Sequence, residues 1–260
     1  MFKFVSTILL SLVLSGFAHA GTWTRAEPAI VKAAYATNYP VEMLAGIASM
    51  ESGFKSRAVS SKKAKGLMQQ VPSTFRYLAK KYGKKHGIKN ANPNNPLHSA
   101  IFGAEYLKEI RADLSTRLKR KATYEEAYLG YYLGPNRAAA VIRAAGWKDA
   151  VKFMPSVASS HKKFFYNGKR HKTIREFRRA VYAEYNRHVD EYRDVAQLAM
   201  KKHVKKKRQI ANVDFTASCL SETPTAQPQP FHTTMALENC IDRTAFGRNV
   251  YAINDRRRYI

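Results

Sequence analysis

Glu51 stands at the end of an apolar run. Leu44, Ile47 and Ala48 precede it by seven, four and three residues. A helix through VEMLAGIASMES therefore stacks its carboxylate on the stripe that should face the core. A carboxyl held against apolar surface gives up its proton reluctantly, and its pKa rises. Such a group is equipped to donate a proton, provided one side of it stays open to a substrate. The Ser52-Gly53 pair supplies that opening by ending the helix beside it. The other outcome, and from spacing alone the commoner one, is a helix-end glutamate whose head reaches water.

The remaining acids have simpler explanations. Glu125 and Glu126 follow Thr123, and Glu176 follows Thr173. Each set fits the first turn of a helix, where a capping box and the helix dipole favour a carboxylate. Glu105 and Glu109 lie four apart on a helical pattern and read as a solvated face.

The elements that must hold Glu51 are helical from about residue 25 to 200. VEMLAGIASM, PSTFRYLAKKYG, PLHSAIFGAEYLKEIRADL, TYEEAYLGYYLG and NRAAAVIRAAG all carry apolar residues three and four apart. Pro72 opens its helix, where a missing N–H costs nothing. KKHGIKNANPNNP (84–96) and the basic, aromatic SSHKKFFYNGKRHK (159–172) read as loops. A long amphipathic helix runs from Thr173 to about Lys202 and into KKHVKKKR, a basic run that reads as a solvated helix end. Past Gln209 the periodicity fades, and PTAQPQP is linker-like.

The first twenty residues read as a signal peptide: Lys3, then an apolar run, then Ala18-His19-Ala20 before Gly21. The run is shorter than the roughly 20 apolar residues of a spanning helix, which disfavours an uncleaved anchor. The expectation is an exported protein, in the periplasm or cell wall, cleaved near Ala20. Residues 21–203 then form an all-α domain and 204–260 a loosely organised basic tail. Cys219 and Cys240 both fall in that tail, where after export a disulfide can form; free thiols are the alternative. Without a histidine cluster they make a weak metal site, and nothing in the sequence implies a cofactor. The net charge of +26 favours anionic partners such as nucleic acid, membrane surfaces or envelope polymers. Export points to the envelope, and no nucleic-acid motif accompanies the charge.

The run ESGFKSRAVSSKKAKGLMQQVPST resembles the signature of the lytic transglycosylase domain of the lysozyme-like superfamily. Glu51-Ser52, Ser60, Ala64-Lys65-Gly66-Leu67-Met68-Gln69 and Pro72-Ser73-Thr74 fall in register without a gap. Gly103-Ala104-Glu105-Tyr106-Leu107 is similar to a later family helix. In the third motif, Gly130-Tyr131-Tyr132-Leu133-Gly134-Pro135, Tyr132 replaces the usual asparagine. That resembles a variant found in phage and mobile-element members, and the likeness as a whole spans roughly residues 25–185.

The resemblance implies a lysozyme-like helical fold that cleaves the β-1,4 bond between N-acetylmuramic acid and N-acetylglucosamine in peptidoglycan. It implies Glu51 as the single catalytic acid and base, with 1,6-anhydro ends as product. Ser60, Gln69 and Tyr131 would line the sugar subsites, Tyr131 also bonding Glu51, and Gly66 would let the backbone approach the glycan. The alternatives are a muramidase of the same fold, or a non-catalytic peptidoglycan binder within a secretion, conjugation or virion assembly. Nucleic-acid binding through KKHVKKKR ranks last.

Overall fold

The computed structural model describes residues 22–221. The proposed leader and Cys240 lie outside these residues, and Cys219 lies in a stretch whose side chains are not described. Helix α1 covers 22–37, followed by α2 (Val41–Ser52), α3 (Pro72–Tyr82), a 3₁₀ turn (Lys84–His86), α4 (Pro96–Leu118), α5 (Tyr124–Leu133) and α6 (Pro135–Arg143). Three single-turn helices follow: α7 (Ala150–Phe153), α8 (Pro155–Ala158) and α9 (Lys162–Phe165). A two-residue hairpin, β1 (Tyr166–Asn167) and β2 (Arg170–His171), leads into α10 (Ile174–Ser221). The fold is all-α. The described residues up to His203 form one compact unit; a second unit begins at Val204, and its described part is the end of α10.

Helix α2 runs through the core. Leu44, Ala45, Ile47 and Ala48 are fully buried. Gly46 exists for the close approach of α10, because a Cβ there would lie 2.8 Å from the Val189 backbone nitrogen. Helix α10 returns the contact with a stripe of Ile174, Phe177, Val181, Tyr185, Val189, Tyr192, Ala196 and Ala199, spaced three and four apart as an amphipathic helix requires. Trp23, Phe54 and Tyr192 close an aromatic triangle, with centroids 4.8 to 5.7 Å apart, that pins α1, the chain after α2 and α10 together.

Both capping boxes form. Thr123 and Glu126 exchange bonds at the start of α5, and Thr173 and Glu176 do so before α10. Two expectations need correction. The stretch 159–172 is not a plain loop: it holds α9 and the hairpin. Gly168, with φ of 60°, takes the first position of a two-residue turn, which demands positive φ and so favours glycine. Helix α10 also continues past residue 209, where the periodicity fades, and runs to Ser221.

Candidate active site

Helix α2 ends one residue past Glu51. Gly53 adopts the left-handed conformation (φ 56°, ψ 38°), and its N–H caps the Ser49 carbonyl at 2.8 Å. Phe54 is also left-handed, at φ 63°. Two such residues in succession turn the chain sharply away and leave Glu51 on the rim of the helix end. Ser52 then fastens that end to the following loop, its hydroxyl donating to the Leu67 carbonyl at 2.7 Å.

The loop after α2 braces itself. Bridges join Val59 to Lys65 and Lys65 to Gln70. Ser60 Oγ accepts the Ala64 N–H at 3.0 Å. The Gln69 side-chain amide donates to the Ala58 and Gly66 carbonyls. Gly66 has φ of 80°, and a Cβ on it would meet the Pro93 carbonyl oxygen at 2.0 Å. The buried Ser99 hydroxyl accepts the Met68 N–H at 3.1 Å, tying the loop to α4. Ser60, Gly66 and Gln69 are thus brought together with Glu51's helix end, and their visible bonds are to the loop itself.

Glu51 is half-buried. Its Oε1 accepts a long hydrogen bond of 3.4 Å from the Tyr128 hydroxyl. Burial raises its pKa to about 7, and the Tyr128 bond, which favours the ionised form, only partly opposes that. Tyr131 does not bond Glu51. Its hydroxyl donates to the Met68 carbonyl at 2.5 Å, which fixes α5 against the loop. The tyrosine at the carboxyl is Tyr128, one turn earlier and on the same face of α5.

Helical spacing could have found Tyr128, since 128, 131 and 132 are three and four apart; the motif alone does not include it. Behind Glu51 the rings form a row. Tyr185 stacks on Tyr128 at 5.3 Å, Tyr128 lies nearly parallel to Tyr132 at 6.5 Å, and His161 meets Tyr132 edge-on at 4.9 Å. Phe164 flanks Tyr132 at 5.8 Å. Burial, reinforced by the Glu51 charge, pushes the Tyr128, Tyr131 and Tyr132 hydroxyls well above their ordinary range, so all three stay protonated. Burial, then the Lys62 and Lys163 cations, hold the His161 imidazole low, although its Val157 bond opposes them. These groups make a wall of neutral rings around one carboxyl that keeps a proton near neutral pH.

Four of the other candidate acids are engaged elsewhere. Arg120 grips Glu126 with two bonds of 2.6 and 2.9 Å, and Arg170 grips Glu176 at 2.7 and 3.1 Å. Glu105 corrects the expectation of a solvated face: it is 2 % exposed. Lys85 and His86 reach one carboxylate oxygen at 2.7 and 2.8 Å, and Lys108 the other at 3.2 Å. Burial would raise its pKa, but these bonds outweigh that and hold it below the usual carboxylate value. Glu109 accepts from the Tyr82 and Tyr77 hydroxyls and pairs with Lys81. Among the described residues no group of three or more His, Cys, Asp or Glu is placed to hold a metal ion.

Residues 28–154 match the family described as the transglycosylase SLT domain. The match takes in Glu51, the braced loop, and the tyrosines of α5, and it stops before His161 and Phe164. With the helical architecture and the sheltered carboxyl, it places residues 28–154 in the lytic transglycosylase family of the lysozyme-like superfamily, whose substrate is peptidoglycan.

Proposed function

We propose that the chain is an exported lytic transglycosylase in which Glu51 alone carries both proton transfers. As acid, Glu51 protonates the glycosidic oxygen while the bond from C1 of N-acetylmuramic acid to that oxygen breaks. As carboxylate, it then takes the proton of the muramyl C6 hydroxyl, whose oxygen closes on C1. A 1,6-anhydro end forms, no water is consumed, and Glu51 recovers its proton for the next cycle.

The observation that carries this reading is Glu51 itself: half-buried, bonded to a neutral tyrosine, with its pKa raised to about 7. A group with that value is protonated often enough to donate and ionises readily enough to accept near neutral pH. Among the described residues no second carboxylate acts on Glu51, which is consistent with an intramolecular nucleophile, where most glycosidases use a carboxylate pair. Glu105, Glu126 and Glu176 are each held by basic partners.

Export rests on the leader-like sequence, and the +26 charge suits retention on anionic wall polymers, weakening as salt rises. Digestion of purified sacculi followed by mass spectrometry of the muropeptides tests the chemistry. Anhydro ends from the wild type, and none from Glu51→Gln with an unchanged helical circular dichroism spectrum, are expected. Reducing ends would make the enzyme a hydrolase with the same acid. No products from wild-type protein would leave a peptidoglycan binder.

A further inference from the structure

We infer that a groove along the first turns of α10, lined by Arg175, Arg178, Arg179, Tyr182, Ala183 and Asn186, binds a phosphate-bearing anion. These positions recur three and four apart. They form one strip of the helix, adjoining the strip of Ile174, Phe177, Val181 and Tyr185 that faces the core. The groove is open and holds about 420 Å³, room for a phosphate or a headgroup rather than a single water.

Arg178 and Arg175 are held in place, and among the described residues no salt bridge takes up any of the three guanidinium groups. Arg178 Nη1 donates to the Ile142 carbonyl in the last turn of α6 at 2.9 Å, while its buried Nε finds no acceptor among the described residues. The Arg175 backbone N–H donates to the Gly146 carbonyl at 2.9 Å. Its side chain lies across Gly146, where a Cβ would come within 3.1 Å of Nε. The neighbouring carboxylates are occupied, Glu176 by Arg170 and Glu126 by Arg120. Glu126 still acts on Arg178, and Glu125 and Glu126 both act on the Tyr182 hydroxyl, so the three guanidinium groups outnumber the acids that face them. Burial, then the Glu126 charge, pushes Tyr182 up to about 12, which keeps its hydroxyl a donor.

Three guanidinium forks within about one turn and a half suit an anion with three or four oxygens. A lone carboxylate, with two oxygens, would leave donors unused. Both a lipid headgroup and a soluble or polymer-borne phosphate present that chemistry.

The test uses the full chain and inorganic pyrophosphate, titrated by calorimetry at physiological ionic strength. Arg175→Gln with Arg179→Gln removes two exposed charges and leaves the anchored Arg178. Lys84→Gln with Lys89→Gln removes the same charge from an exposed stretch elsewhere. Saturable binding by the wild type is expected, about tenfold weaker or more in the arginine variant, and unchanged in the lysine variant and in Glu51→Gln. Flotation with phosphatidylglycerol vesicles but not phosphatidylcholine vesicles, lost in the arginine variant, would identify a lipid source. Pyrophosphate binding without flotation would identify a non-lipid one. No saturable binding, or an equal loss in the lysine variant, overturns the site.

Discussion

The Tyr128 hydroxyl reaches Glu51 Oε1 at 3.4 Å across 77 positions of chain. It is the contact through which α5 influences the carboxyl of α2. Because the hydroxyl donates, it favours the ionised form, while burial favours the protonated one. Activity on soluble glycan fragments should therefore fall as pH rises through about 7, where Glu51 loses the proton it must donate. Tyr128→Phe removes the opposing bond and should move that descending limb to higher pH. A pH–rate profile of both proteins checks it; an unmoved limb would separate Tyr128 from the titration.

Glu51 also links stability to pH. Its folded pKa is about 7 against an ordinary 4.5. Its contribution to stability is thus complete below 4.5 and lost as pH rises through about 7. Glu51→Gln has no such loss. Relative to wild type, the variant should gain on the order of 1–3 kcal/mol between those limits, measured by urea unfolding at pH 4.5 and pH 8.

Glu105 is predicted to be structural. Glu105→Ala strands Lys85, His86 and Lys108 around a buried position. Breaking such a cluster should cost about 3 kcal/mol, read as a lower thermal midpoint. Because its folded pKa is depressed, the wild-type contribution is present above pH 4.5 and disappears as pH falls through the folded value. The variant's deficit should shrink in acid.

Tyr132 carries the opposite expectation. Its hydroxyl is buried without a hydrogen-bond partner among the described residues, while its ring packs on Tyr128, His161 and Phe164. Tyr132→Phe keeps the ring and removes the stranded group, so thermal stability should hold or rise by up to about 1 kcal/mol. Tyr132→Ala removes the ring as well and should cost about 3 kcal/mol. Differential scanning calorimetry of the two variants distinguishes the packing from the hydroxyl.

Much of this was legible in advance, and the reasons differ by residue. Leu44, Ile47, Ala48 and Glu51 share one helical face because 3.6-residue periodicity is local, so the carboxyl's place on the apolar stripe follows from spacing, while its shelter does not. The caps at Thr123 and Thr173 are equally local. What spacing could not give was tertiary. Glu105 falls on a helical pattern that permits exposure, and only the 3₁₀ turn at Lys84–His86 brings it two partners. His161 and Phe164 approach Tyr132 from the N-cap and the body of α9, a single turn too short to leave a pattern. Tyr131 sits in the motif, yet its hydroxyl goes to Met68 because α5 lies against the loop there.

Gly66 and Pro93 meet main chain to main chain, with no side chain between them. The glycine's bareness therefore serves an internal seam between the stretch after α2 and the approach to α4. Each span stiffens the other without any apolar filling. A change of backbone near Pro93, well outside the motif, would be felt at the floor on which Glu51's neighbours rest.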